Sequence, residues 1–190
     1  IRAQVESGNV KWDVAIVEKH AGIRGCQEGL FEPIDKAILA PTPDGSPAVE
    51  DFIEGGLTEC AVGEVIWSLV YAYDKTRYEG KAPSTAADLF DTETFPGNRG
   101  LRKTPKGNLE YALIADGVAP KDVYEVLDTE EGVNRAFAKL DEIKDDIVWY
   151  DAGAQAVQLL ASGEVAMATS YNGRYYNAIV NEGEPFEVVW

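Results

Sequence analysis

Asp151-Ala152-Gly153-Ala154-Gln155-Ala156-Val157-Gln158-Leu159-Leu160-Ala161-Ser162-Gly163-Glu164-Val165-Ala166-Met167-Ala168-Thr169-Ser170-Tyr171-Asn172-Gly173-Arg174 spells helix, stop, strand and helix in one line. Asp151 is placed to cap a helix running through Gln155, Leu159 and Leu160 to Ser162, and Gly163 ends it. Val165 to Ser170 follows as a strand, and Tyr171-Asn172-Gly173-Arg174 turns it into a helix reaching about Glu182. Phe186 to Trp190 is strand-like again. Short apolar runs alternating with amphipathic stretches predict an α/β architecture.

Upstream the same alternation continues. Thr129-Glu130-Glu131 starts a helix whose Val133, Phe137, Leu140 and Ile143 are expected to face one core. Gly100-Leu101-Arg102-Lys103 reads as a strand, and Thr104-Pro105 as the cap and first turn of a helix reaching about Asp116, before Gly117. The longest apolar run, Val65 to Tyr73, is predicted to be a strand crossing between lobes. It has about half the length that a membrane-spanning helix requires. Pro41-Thr42-Pro43-Asp44-Gly45-Ser46-Pro47 is an irregular loop. Nearer the start, residues 21–28 read as helical, Asp13-Val14-Ala15-Ile16-Val17 as a buried strand, and Ile1 to Ser7 as the end of a helix stopped by Gly8.

The chain has 190 residues, 33 of them acidic and 17 basic, for a formal charge of -16. Such a balance excludes a nucleic-acid partner held by phosphate neutralisation. With 45% apolar residues the chain also lies outside the disordered class. It opens at Ile1, so a secretory leader would have been removed or would lie outside this sequence. Cys26 and Cys60 are the only cysteines and form no metal-ligand spacing. Two buried thiols and one disulfide are both open on that count.

In an open α/β sheet, ligands bind beyond the carboxyl ends of the strands, where helix N-termini present free N–H groups. Four strand-to-helix junctions carry side chains that packing alone does not demand. They are Glu18-Lys19-His20, Lys103-Thr104, Trp149-Tyr150-Asp151 and Tyr171-Asn172-Gly173-Arg174. Rings and polar tips together suit a small polar solute. Each also has a plainer reading: His20 as a surface histidine, Asp151 as a helix cap only, Tyr175 and Tyr176 as half core. Arg174, in the first turn of its helix, is unfavourably placed beside the helix dipole unless an anion or carboxylate meets it. Nucleophile elbows, phosphate loops and zinc-protease motifs are missing from the sequence, and one histidine leaves little room for a triad.

Gly153-Ala154-Gln155, Leu159 to Met167, Tyr171-Asn172-Gly173 and Glu187-Val188-Val189-Trp190 resemble the second lobe of periplasmic substrate-binding proteins of ABC importers, with the spermidine/putrescine-binding branch the most similar. Trp12 to Val17, Gly29-Leu30-Phe31-Glu32-Pro33-Ile34-Asp35 and Trp67-Ser68 are similar to the first lobe and crossover. The resemblance implies a two-lobe periplasmic binding protein fold of type II character, incomplete here at both ends. Residues 1–68 would be part of lobe 1, 69–185 lobe 2 and 186–190 a returning hinge strand, with hinge closure on the ligand. It implies a monomeric, periplasmic receptor whose signal peptide lies outside this sequence, and an ABC permease as partner. It implies no enzymatic role, cofactor or resident metal, and it favours a Cys26–Cys60 disulfide. A natural protein longer than this chain is expected.

Carried over position by position, Tyr171 takes the place of a stacking tryptophan, Glu18 and His20 line the first lobe's side, and Trp67 and Ser68 fall beside the pocket. With Lys103, Thr104, Asp151, Asn172 and Arg174 these complete the candidate ligand set. Polyamine binders carry two carboxylates just after the strand that here ends Leu101-Arg102-Lys103, where this chain has Thr104 and Gly107. Lys103 and Arg174 at the cleft edge point to a ligand bearing a carboxylate or other anion together with an amine, so the solute captured between the lobes is expected to be small and nitrogenous, polyamine-like or amino-acid-like. Two other readings compete. One is a ferric-iron binder using Tyr175-Tyr176, His20 and Glu18, although its tyrosine pair lies too far beyond Gly163-Glu164-Val165. The other is a hydrolase with two carboxylates.

Overall fold

The computed structural model of the protein describes residues 1–78 and 80–190. It separates into two compact units, Ile1–Ile66 and Trp67–Trp190.

Residues 1–66 contain three short α-helices, α1 (Arg2–Glu6), α2 (Lys19–Gln27) and α3 (Ala48–Asp51), and a 3-10 turn at Lys36–Ile38. Their only buried residues are Gly22 and Gly25 of α2, so residues 1–190 bury no apolar side chain in this unit. A Cys26–Cys60 disulfide ties α2 to the turn around Cys60. The backbone bond from Ile34 N–H to the Glu59 carbonyl (2.8 Å) and an isolated bridge between Leu57 and Val62 add to it. Asp13 to Val17 is not the buried strand predicted: it is irregular, with Val14 87% and Ile16 84% exposed. A strand exists only through a neighbour's hydrogen bonds. The described residues of this unit provide just that one bridge.

Residues 67–190 form a layered α/β domain. Its elements are β1 (Leu69–Asp74), α4 (Ala86–Phe90), β2 (Arg99–Arg102), α5 (Asn108–Ala115), α6 (Val123–Leu127), α7 (Glu130–Asp141), β3 (Ile147–Tyr150), α8 (Gly153–Ala161), β4 (Met167–Tyr171), α9 (Asn172–Val180) and β5 (Phe186–Val189). The sheet order is β3-β2-β4-β1-β5, with β2 parallel to β3 and β4, and β1 antiparallel to β4 and β5. Strand β1 shows why the fold is three-layered. Tyr71 and Tyr73 enter one core with Leu89, Phe95, Leu113 and Ile143, whereas Val70 and Ala72 enter the other with Leu160, Val165, Tyr175 and Phe186. A strand covered on both faces reads as an unbroken apolar run. That run begins at Leu69, not at Val65, because Val65 and Ile66 lie exposed outside the ladder. Arg99 is wholly buried and donates to the carbonyls of Leu89 (2.7 Å), Asp91 (2.9 Å), Phe95 (2.8 Å) and Gly97, fixing the loop before β2.

Several boundaries differ from expectation for local reasons. Helix α5 begins at Asn108 rather than at Thr104-Pro105, because Gly107 caps it at φ 84° with its N–H bonded to Glu110 (2.7 Å). A side chain there would collide with Leu69. The Asn108 amide donates to the carbonyls of Arg102 and Thr104 (both 2.8 Å), so residues 103–107 fold into a turn. Asp151 does not cap α8. Ala152 holds that place, and the Gln155 side chain accepts from the N–H groups of Asp151 (3.1 Å) and Ala152 (2.8 Å). On α7 the buried face is Gly132, Ala136 and Leu140, leading to Ile143, and Phe137 is 53% exposed. Gly132 sits so close to the Val126 carbonyl that no side chain fits, which turns the small residues inward. Helices α4 and α6 were absent from the expected set; both are single short turns, α4 held by a Thr85–Asp88 capping box. Among the described residues no helix is long and apolar enough to cross a membrane.

Candidate functional site

The carboxyl ends of the parallel strands β3, β2 and β4 come out at one edge of the sheet, where the antiparallel β1 begins. Pairing sets Arg102 opposite Tyr150 and Leu69 opposite Tyr171. Six predicted residues of this unit, Trp67, Ser68, Lys103, Asp151, Tyr171 and Asn172, therefore adjoin the same edge by position. The N-termini of α8 and α9 open there too.

The Trp67 and Tyr171 rings meet edge to face, 4.7 Å between centroids at 66°. Trp67 is 37% exposed and Tyr171 half-buried, so the pair forms an apolar wall with an accessible rim. The Lys106 ammonium stands 4.4 Å from the Trp67 ring centroid, within cation–π range. Ser68 and Asn172 lock together: the Ser68 N–H donates to Asn172 Oδ1, and the Asn172 N–H to the Ser68 carbonyl, both at 3.0 Å. That pair fixes the approach of Trp67 to Tyr171 through the backbone. Arg102 reaches across the edge, donating from Nε to the Asp151 carbonyl (3.2 Å) and from Nη1 to the Tyr171 hydroxyl (3.0 Å).

Lys103 is tied by its backbone N–H to the Tyr150 carbonyl (2.8 Å), with its side chain exposed. Thr104 is half-buried in the turn before α5. Arg174 is exposed on the first turn of α9 and lies against Gly153, where any side chain would strike its guanidinium. The cations Arg102, Lys103, Lys106 and Arg174 all come from strand ends and turns of this edge, with Asp151 the exposed acid among them. Sequence reasoning missed Arg102 and Lys106, reading one as strand and the other as helix. Two basic residues bracketing a strand end, followed by a third past a proline, are the signal that marks them.

In the other unit, Glu18 and His20 flank the start of α2, with His20 Nδ1 3.5 Å from Glu18 Oε2 and the imidazole exposed. The tyrosine pair of the iron reading is divided. Tyr175 is fully buried and donates to the Ala168 carbonyl (2.6 Å), and burial pushes its phenol well above the ordinary range. Tyr176 is exposed. A tyrosinate ligand would have to lose the proton that this burial protects. Among the described residues no group of three or more His, Cys, Asp or Glu side chains is arranged to hold a metal ion. Burial likewise raises Tyr150, whose hydroxyl donates to the Thr169 carbonyl beneath the edge. A groove of about 430 Å³ lies between α9 and β5, lined by Asn172, Tyr176, Val180, Phe186, Val188 and Trp190, and shares Asn172 with the strand-end cluster.

The whole chain, residues 1–190, matches the family of bacterial extracellular solute-binding proteins. The gamma-aminobutyric acid-binding protein of Pseudomonas aeruginosa is 48% identical over 190 residues, which cover all of this chain and 51% of that protein. Among solved structures, the periplasmic binding protein MotA from A. tumefaciens B6, in complex with glucopine, is 37% identical with a TM-score of 0.85; the match covers 98% of this chain and 55% of that one. The Atu4243 GABA receptor is 34% identical with a TM-score of 0.78, and the match covers 100% of this chain and 55% of that one. The chain thus spans about half the length of the relatives it matches. It is a member of the bacterial extracellular solute-binding protein family.

Proposed function

We propose that the protein is the solute-capturing component of an ABC importer and that its solute is small and carries both an amine and a carboxylate, in the manner of γ-aminobutyrate. The observation that carries this reading is the sheet edge of residues 67–190. Two cations touch the aromatic pair, Arg102 at the Tyr171 hydroxyl and Lys106 over the Trp67 ring, and Lys103 and Arg174 follow at the adjoining strand end and helix start, in a chain whose formal charge is -16. Local positive charge in a strongly acidic protein is matched to an anionic group on the ligand. The Trp67–Tyr171 wall offers apolar ring surface to the aliphatic part.

The names of the relatives at 48% and 34% identity, both for γ-aminobutyrate, support this chemistry. A polyamine fits less well, because the turn after β2 reads Lys103-Thr104-Pro105-Lys106-Gly107 and supplies cations in place of carboxylates, leaving Asp151 as the acid of this edge for several ammonium groups. Iron fits poorly because Tyr175 is a core phenol. Location outside the cytoplasm in the periplasm, a permease partner, a monomeric state and an absence of turnover belong to the same proposal. So do lobe boundaries at 1–68, 69–185 and 186–190, with closure of a hinge on the solute. Glu18 and His20 are proposed as groups contributed by residues 1–68.

Calorimetry on the mature protein with γ-aminobutyrate, putrescine and spermidine tests the reading. Micromolar or tighter binding of γ-aminobutyrate, with both polyamines at least about tenfold weaker, is the expected result. Spermidine binding tighter than γ-aminobutyrate overturns it.

A further inference from the structure

Arg102 was not among the residues expected at the site, and its contacts set it apart from the other cations of the edge. It is the last residue of β2, half-buried, and its guanidinium forks toward two neighbouring strands. Nε donates to the carbonyl of Asp151, just past β3, and Nη1 to the hydroxyl of Tyr171, the last residue of β4. Its own carbonyl accepts from the Asn108 amide at 2.8 Å, so backbone and side chain are both held. A planar, pre-organised fork can hold two divergent acceptors at once, which a lysine ammonium on a flexible stem does not reproduce. Tyr171 is in turn the ring that meets Trp67 edge to face.

We propose that Arg102 is the positioning residue of the ligand wall: it staples the carboxyl ends of three parallel strands, orients Tyr171 against Trp67, and sets a fixed positive charge behind the pair that selects solutes ending in a carboxylate. The charge-selection half rests on the amino-acid reading above; the orienting half does not, and the two are tested by separate measurements.

The ligand arm compares γ-aminobutyrate with 4-aminobutanamide, which keeps shape and amine but replaces the carboxylate by a neutral amide. The mature wild-type protein prefers the acid by at least about tenfold. Arg102→Met brings that preference down to within about threefold, and Arg102→Lys, which keeps the charge, restores most of it. A variant that loses both solutes in equal proportion, leaving the ratio unchanged, assigns Arg102 a merely structural role and overturns selection. A wild-type protein with no preference overturns it as well, and shows that the amino-acid reading has failed.

The conformational arm needs no ligand. The near-ultraviolet circular dichroism contributed by Trp67, identified by its loss in Trp67→Phe, is expected to collapse in Tyr171→Phe and in Arg102→Lys. The double variant is expected to lose no more than either single one. These two substitutions keep size nearly constant, so this arm stands even where Arg102→Met fails to fold. Additive losses, or an Arg102→Lys spectrum identical to wild type, overturn the orienting role.

Discussion

Residues 1–66 and 67–190 contain apolar runs of comparable quality, yet only the second unit converts them into a core. Val70 to Tyr73 is buried on both faces of a sheet, whereas Val14 and Ile16 stand in solvent. Within residues 1–190 the difference is one of partners. Strand β1 has β4 on one side and β5 on the other, and helices cover both faces. The first unit relies on one disulfide, a few backbone bonds and two buried glycines of α2. Hydrophobicity is a demand for burial, and it becomes structure only where topology provides something to be buried against.

The sharpest consequence lies at Arg99. Replacing it by Met leaves the carbonyls of Leu89, Asp91, Phe95 and Gly97 without their donor. Denaturant titration is expected to show a loss of roughly 4 kcal/mol. A loss under about 1 kcal/mol would mean that water can replace the guanidinium, and the second unit is looser than described.

Reduction of Cys26–Cys60 comes next, because it opens a sequence separation of 34 residues. The chain-entropy argument gives roughly 3 to 4 kcal/mol, acting on the first unit alone. Hydrogen exchange is the discriminating readout: amides of α2 should lose protection on reduction while those of β1 and β4 keep theirs. Equal loss in both units would break the contrast between a stapled unit and a cored one.

A matched pair of truncations sharpens it further. In the 190-residue chain, Leu160→Ala removes a buried side chain and should cost about 3 kcal/mol, while Val14→Ala, at a site that residues 1–190 leave in water, should change stability by less than about 0.5 kcal/mol. A Val14→Ala cost above about 1 kcal/mol would show that the residue is covered in solution.

The smallest effect is alkaline. Burial raises the phenols of Tyr111, to about 12, and of Tyr150 and Tyr175. A folded value above the unfolded one, near 10, means that their contribution is fully present below about pH 10 and fades as pH rises through the folded values. Phenolate absorbance should therefore appear together with loss of circular dichroism. Smooth titration of all nine tyrosines near pH 10 with the fold intact would contradict their burial.

Much of the second unit was legible from local pattern. The helix–strand–helix from α8 to α9, the strand β5 and the stop at Gly163 were all close to where period and punctuation put them. What escaped were decisions made by a single contact. Gly107 moves the start of α5 past Thr104-Pro105, and Gln155 takes the capping task from Asp151. The site divides in the same manner. The residue types at strand ends were readable, since a polar tip after an apolar run is a local feature. The Trp67–Tyr171 contact joins residues a hundred positions apart, and the Arg102 fork joins three strands whose order no local pattern reveals.

The most direct test of the central claim is a crystal structure of the mature protein with γ-aminobutyrate bound. The carboxylate should lie within salt-bridge distance of at least one of Arg102, Lys103, Lys106 and Arg174, with the carbon chain against Trp67 or Tyr171. A bound solute that touches none of these six residues, or that turns its amine toward the four cations, would contradict it.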